Sequence, residues 1–282
     1  MTEPKPYFLF THTPLHVGAG HSVGYVDLPI QREAHTRIPI VPGSSLKGVL
    51  RDRDEFDEAT KAWLFGKGAG EADGGAAGAL LIGEARVLAF PVRSAKGSFA
   101  WITCPLALRR AKRDGVLGDQ ADPSNPSDDQ ALLPEKSLLA LGDKVVLEEY
   151  TFTRADDLPP GLGAALQALL PEDPVWAEVA SRLVILSDGM MSFFVQSACE
   201  IAQHVAIADE TGTAKEGALF NQENCPSETL FYGVIAAQKI NGKPAEDAVN
   251  RLAELNGRPL QIGGSETTGL GWCTFIFNPA AK

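Results

Sequence analysis

A strand-like run, Tyr7 to Val17, passes directly into a loop punctuated by glycine: His16-Val17-Gly18-Ala19-Gly20-His21-Ser22-Val23-Gly24-Tyr25-Val26-Asp27-Leu28-Pro29-Ile30-Gln31-Arg32. The run is rich in aromatic and β-branched residues and alternates in polarity, which predicts a strand. Arg37 to Val41 reads as a second short strand, ended by Pro42-Gly43. Ser44 or Ser45 is expected to cap the helix that follows. Leu46, Val49, Leu50, Phe56, Ala59, Trp63 and Leu64 recur along it at roughly helical spacing, and Gly66 is placed to stop it. A strand, a long glycine-bearing loop, a strand and a helix in that order, followed by antiparallel returns, predict an α+β fold and not a doubly wound parallel sheet.

The rest of the chain continues the pattern. Gly66 to Gly78 holds six glycines and reads as a flexible loop. It is not a phosphate loop, because no Gly-Lys-Ser/Thr follows. Strands are expected at Leu80–Phe90, Phe99–Thr103, Lys144–Phe152 and Thr229–Lys239. Helices are expected at Pro105–Asp114, Leu162–Leu170, Pro174–Leu186, Asp188–Ala198 and Pro244–Leu255. Residues 115–134, rich in Asp, Pro, Ser and Gln, read as an exposed insertion or a disordered loop. Between about 200 and 225, an alternating segment turns at Asp209-Glu210-Thr211-Gly212 and returns, which predicts a protruding β-hairpin. Near the C-terminus, Pro259–Ile262 and Trp272–Phe277 read as strands flanking Gly263-Gly264-Ser265-Glu266-Thr267-Thr268-Gly269-Leu270-Gly271.

Composition narrows the function classes. The 282 residues carry a net charge of −11, which argues against a free-standing nucleic-acid binder, since phosphate affinity rests largely on Lys and Arg. The charge is unevenly spread. Residues 1–53 hold six Lys/Arg against four Asp/Glu, together with four of the five histidines, and residues 256–282 come to +1. The two segments with the most distinctive loops are therefore the two that are not acidic. No apolar run approaches the roughly 18 residues that span a bilayer, and the first residues lack signal-peptide features, so the expectation is a cytoplasmic protein without membrane contact. Cys104, Cys199, Cys225 and Cys273 show no C-x-x-C pair or zinc spacing and are read as buried reduced thiols.

Four groups of residues could carry chemistry. Asp27 is the only acid between Glu3 and Glu33. Such an Asp is either a turn former or a carboxylate held out to bind a metal ion or accept a proton. His16 is either a satisfied structural histidine or an RNA contact, with His21 the alternative acid–base group. Ser44, Ser45, Lys47 and Arg51 place hydroxyls, backbone N–H groups and two cations at a helix start suited to phosphate. Gly263, Gly264, Thr267 and Gly269 belong to a loop whose N–H groups could form an anion nest. Tyr232 could stack on a base, although a Tyr in an apolar strand is commonly core.

In combination these blocks resemble the backbone-subunit family of Cmr effector complexes of type III-B CRISPR systems, within the RAMP superfamily. The residues that carry the likeness are His16–Gly20, Val26–Glu33, His35-Thr36, Pro39, Pro42–Arg51, Gly217–Phe220, Pro226–Tyr232 and Gln261–Gly271. The resemblance spans the whole chain, 1–282, as one RAMP-type domain. It implies a modified ferredoxin-like, RNA-recognition-like core, a glycine-rich loop and a thumb hairpin at about 200–225. It implies copies stacked as a helical filament on a CRISPR guide RNA beside other Cmr subunits, in antiviral defence. In the family a loop aspartate, matching Asp27, supports cleavage of target RNA at regular intervals with a divalent metal, Mg or Mn, leaving a 2′,3′-cyclic phosphate and a 5′-hydroxyl. His16, Lys47 and Arg51 match positions linked to guide binding; Glu228 and Tyr232 match a region near the cleavage site. Two rivals stand beside this reading: a non-catalytic RNA scaffold of the same complex, which would need no acid at position 27, and a nucleotide-binding enzyme, which the lack of a phosphate-loop motif and of a Rossmann order disfavours.

Overall fold

Tyr7 to Thr11 are buried without a break in β1 (Lys5–Thr11), so this strand has core on both faces. Tyr7 and Leu9 point into one apolar cluster, with Leu46, Leu50, Leu64 and Leu252. Phe8 and Phe10 point into another, with Leu88, Trp101, Leu162 and Trp176. The computed structural model describes residues 1–21, 24–67, 75–119, 122–208 and 210–277.

After β1 the chain runs through β2 (Ile40–Val41), α1 (Gly43–Arg51), α2 (Glu58–Phe65), β3 (Gly66–Lys67), β4 (Ala76–Ala77), β5 (Leu80–Ile82), β6 (Ala85–Arg93), β7 (Phe99–Thr103) and α3 (Pro105–Arg113). Then come β8 (Gln130–Leu133), β9 (Lys144–Leu147), β10 (Tyr150–Asp157), α4 (Leu162–Gln167), α5 (Val179–Arg182), β11 (Leu183–Ile185) and α6 (Asp188–Ser197). The last part holds β12 (Glu200–Ile207), β13 (Ala214–Asn224), β14 (Leu230–Ala237), α7 (Ala245–Ala253), β15 (Pro259–Gln261) and β16 (Trp272–Phe277). One mixed sheet has the order β15-β16-β1-β14-β6-β7-β11-β8-β10-β9, with β2 added at β6 and β5 at β14. The fold is α+β, as the element order predicts.

β12 and β13 form a separate two-stranded ribbon, paired from Glu200↔Asn224 to Ile207↔Ala214. It exposes Ile201 near its base and Val205, Ile207, Leu219 and Phe220 farther along. Asp209, assigned to its turn, lies outside the described residues, as do Ser22 and Val23 and the middle of the 66–78 glycine segment.

Several local expectations are corrected, each for a physical reason. The first strand ends at Thr11 instead of Val17: Pro14 has no N–H to give a ladder, and Leu15 pairs instead with Cys225 at the ribbon base. The helix expected from Leu46 to Leu64 is two helices, because Asp57 accepts the Thr60 N–H at 2.7 Å and caps a new start. Pro42, not Ser44 or Ser45, occupies the N-cap of α1, with no side-chain cap bond. Gly66 does end α2, at φ 84°. The strand expected from Leu80 to Phe90 is broken at Gly83-Glu84 into β5 and β6. Lys144–Phe152 is likewise two strands, reversing at Glu148, whose φ is 49°. Leu183–Ile185 is a fully buried strand rather than the end of a helix, since its apolar residues fill the slot between β7 and β8. The polar 115–134 segment is not all exposed: it ends in β8, whose Ala131, Leu132 and Leu133 are core.

Candidate functional site

The lower end of β13, Asn221 to Cys225, gathers the two distinctive loops. Leu15 and Cys225 exchange backbone hydrogen bonds of 2.8 and 2.9 Å. His16, which is buried, holds the Glu223 carbonyl at 2.7 Å through Nδ1. On the descending arm of the first loop, the Leu28 N–H donates to the Asn221 carbonyl and the Glu223 N–H to the Leu28 carbonyl, both at 3.0 Å. From the C-terminal loop, Ser265 Oγ donates to Gln222 Oε1 at 3.3 Å.

Asp27 sits at this junction. Its Oδ2 accepts the backbone N–H of Asn221 at 2.8 Å, and the residue is exposed. The hydrogen bond fixes the side chain against the ribbon base, and the other carboxylate oxygen has no hydrogen-bond partner among the described residues. The bond is not the local one of a turn former: it ties the loop to backbone 194 positions away.

Beneath Asp27 lies a buried ion pair. Arg32 Nη2 meets Glu223 Oε1 at 2.6 Å, with both side chains at most 10% exposed. Glu223 Oε2 accepts the Ile30 N–H at 3.0 Å, and Arg32 also donates to the Arg37 carbonyl and to Cys199 Sγ. Burial alone would lower the proton affinity of Arg32, but the neighbouring Cys199 and Glu223 outweigh it and hold the guanidinium charged. Burial pushes the Cys225 thiol well up, and Cys199 beside it adds to the effect. All four cysteines are buried and free, as expected. Arg32 was part of the recognised motif, but its buried partnership with Glu223 was not foreseen.

In the C-terminal glycine loop, part of the backbone N–H set is already bonded. The N–H groups of Gly264, Gly269 and Gly271 are taken by the carbonyls of His16, Glu266 and Pro14. What glycine supplies is close approach: at Gly263, with φ +84°, a Cβ would lie 2.1 Å from the His16 carbonyl oxygen. A Gly263→Ala variant is therefore expected to lose at least about 1–2 kcal/mol for the left-handed backbone alone, and more for the clash. Gly264→Ala, whose Cβ would meet His16 at an ordinary 3.5 Å, should cost much less, and thermal unfolding of the two variants reads the difference. Thr267 is exposed on the same loop.

Other candidates lie elsewhere. Ser44 and Lys47 on α1 line a groove with Leu80–Gly83 and Val234; Ser45 and Arg51 are half-buried on the same helix. His21 is exposed on the first loop. Tyr232 corrects the stacking expectation: it is 1% exposed in the core, and its hydroxyl donates to Asp114 Oδ2 at 3.2 Å. Burial and Asp114 hold its hydroxyl proton above the ordinary range. Glu228 is half-buried at φ 63°, its carbonyl accepting the Trp101 indole N–H at 2.8 Å. Burial and the charge of Asp173 raise its carboxyl to about 7.

Comparison with known proteins places this arrangement. Residues 9–274 match the model of the RAMP superfamily. A CRISPR system Cmr endoribonuclease Cmr4 of Pyrococcus furiosus is 37% identical over 94% of this chain and 92% of its own length. The CRISPR system CMR subunit Cmr4 of Saccharolobus solfataricus is 25% identical over 96% of this chain and 95% of its own. The crystal structure of oligomeric Cmr4 from Pyrococcus furiosus superposes with a TM-score of 0.73 at 30% identity, covering 98% of this chain and 99% of that one. The shared length, the shared fold and the motif blocks converging on β13 agree, and the chain belongs to the RAMP superfamily, within its Cmr4 family.

Proposed function

We propose that this chain is the RNA-cleaving backbone subunit of a Cmr-type CRISPR effector complex, acting on target RNA paired with a guide. The observation that carries the reading is Asp27, a lone exposed carboxylate clamped by the Asn221 N–H at the base of a protruding ribbon. A Pyrococcus furiosus relative is named an endoribonuclease, and the oligomeric crystal structure of Cmr4 from the same organism supports association of copies of this chain. The ribbon's exposed apolar residues suit insertion between bases or against a neighbouring copy. His16, Ser44, Ser45, Lys47, Arg51, Gly263, Gly264, Thr267 and Gly269 are assigned to guide contact, His16 by holding the loops together and Lys47 through its charge. His21 and Glu228 are assigned to support of the cleavage site. No helix among the described residues is long and apolar enough to cross a membrane, and the cytoplasm is the proposed location.

The chemistry needs little covalent machinery. The 2′-hydroxyl of the nucleotide before the scissile bond attacks the adjacent phosphorus; the P–O2′ bond forms and the P–O5′ bond breaks. The hydroxyl proton is taken up as attack proceeds, and the departing O5′ receives one. Alignment of the attacking oxygen and relief of negative charge are therefore the main tasks. Asp27 can accept the proton or hold a cation. No cluster of three or more His, Cys, Asp or Glu is present among the described residues, so a closed protein cage for a metal does not form here. A single carboxylate suits Mg²⁺ or Mn²⁺, which Asp27 would help to hold. When bound, the ion would supply positive charge at the phosphate. The test is incubation of the reconstituted complex with guide-complementary RNA and Mg²⁺. Regularly spaced products ending in 2′,3′-cyclic phosphate and 5′-hydroxyl are expected; intact RNA, or products with 3′-hydroxyl and 5′-phosphate ends, would contradict the reading.

A further inference from the structure

Two residues before Asp27, Tyr25 is fully exposed, at 102% of its reference surface. Its ring is open to solvent, so a planar partner can reach it. The described arms of its loop are held together. The two arms of the loop are paired at Gly18↔Ile30, with the Ala19 N–H donating to the Pro29 carbonyl and the Gln31 N–H to the Val17 carbonyl, both at 2.8 Å. The descending arm is then fastened to β13 through Asp27 and Leu28. Tyr25 thus lies between two fastened arms, two positions before the carboxylate.

Tyr25 also stands at the rim of an open cavity of about 510 Å³, whose other walls include Ala19, Val26, Pro29, Arg37 and Gln196. That volume falls within the range of about 300–1,000 Å³ typical of small-molecule sites. Its floor is the Arg32–Glu223 pair, in which the opposite charges offset each other. The cation on the rim is Arg37, which is exposed and has no ion-pair partner among the described residues. Gln196 gives its amide N–H to the Ser192 carbonyl at 2.8 Å, which leaves its amide oxygen as an acceptor. An aromatic face, a free cation and an amide around a nucleotide-sized opening match the general chemistry of single-stranded RNA recognition: stacking on an aromatic ring, with the backbone charge met by Arg. Stacking on an aromatic face tolerates any base.

We propose that Tyr25 is a positioning residue for cleavage: the base of the nucleotide carrying the attacking 2′-hydroxyl stacks on its ring, with Arg37 facing the backbone. The stack fixes that ribose beside Asp27, converting a freely rotating linkage into one held near in-line geometry. This inference rests on Asp27 being the cleavage residue, and the two can fail separately.

The experiment measures single-turnover cleavage by complexes carrying Tyr25→Ala, Tyr25→Phe or Tyr25→Trp. Each acts on a guide-complementary RNA that is either unmodified or abasic at the attacking nucleotide. On unmodified RNA, Tyr25→Ala is expected to slow cleavage about tenfold or more, the loss of one base–aromatic stack. Target affinity should hold, and Phe and Trp should restore the rate. On the abasic RNA, wild type should fall to the Tyr25→Ala rate and the two should coincide. Tyr25 is fully exposed, so these variants keep the fold. Wild-type rates for Tyr25→Ala would overturn the proposal, as would failure of rescue by Phe and Trp, or a Tyr25→Ala defect of equal size on the abasic RNA. If cleavage persists in Asp27→Asn, it is the Asp27 reading that fails, whatever Tyr25 does.

Discussion

Replacing Glu223 by Ala is expected to destabilise the protein by about 3–5 kcal/mol, because it strands Arg32 as an uncompensated charge. The argument is one of asymmetry. The pair is nearly closed off from water, with side-chain exposures of 6% for Arg32 and 10% for Glu223, so solvent cannot take over from the lost carboxylate. The Ile30 N–H loses its acceptor in the same stroke. For a chain of this size, such a loss lowers Tm by roughly 10 °C. Replacing both members, Arg32→Met with Glu223→Leu, removes the stranded charge and should recover part of the loss, since apolar substitution of a whole buried pair is commonly close to neutral. Thermal unfolding of the three proteins checks this. A Glu223→Ala shift of only a degree or two would mean that water or another anion reaches Arg32, and the pair would no longer count as the brace of the ribbon base.

The consequence extends to function. Arg32 and Glu223 lie 191 positions apart in sequence, and His16 and Glu223 lie 207 apart. Each contact ties the first loop to β13, and Asp27 adds a further tie across 194 positions. Loosening the brace should therefore disturb the position of Asp27 before it unfolds the sheet.

The pattern of what the sequence revealed follows from these distances. The two loops were legible because glycine, histidine and a solitary aspartate are local punctuation, and because the Pro42-Gly43 and Gly66 stops act within a few residues. The ribbon was legible from alternation around a turn. The meeting of the loops on Asn221–Cys225 was not, since no local pattern records a partner nearly two hundred residues away. Ribbon and sheet strands alternate similarly in sequence; only the tertiary fold decides that β12 and β13 stand alone while β14 is buried on both faces. That same burial turns Tyr232 from a candidate base platform into a core residue tied to Asp114. β8 was hidden because Gln130-Ala131-Leu132-Leu133 is short and follows a polar stretch that resembles a linker. The helix expected over Pro174–Leu186 failed for the converse reason: Leu183, Val184 and Ile185 suit a buried strand as well as a buried helix, and the sheet had a place for them. The backbone that occupies the N–H groups of Gly264 and Gly269 comes from His16, far away in sequence, and from Glu266, and no local glycine pattern records it.

The measurement that bears most directly on the account is guide-dependent cleavage by the complex carrying Asp27→Asn. Asparagine keeps the size of the side chain, and its carbonyl oxygen can still accept the Asn221 N–H, so the loop should stay docked on β13. What is removed is the charge, and with it both the ability to hold a cation and the ability to take a proton. Loss of a positioned proton acceptor or charge of this kind typically costs 10²–10⁴ in rate. The account predicts a fall of at least about 100-fold in cleavage with target binding intact. Cleavage at the wild-type rate in a complex that binds target normally would contradict it, and would leave this chain as an RNA scaffold with the chemistry held elsewhere.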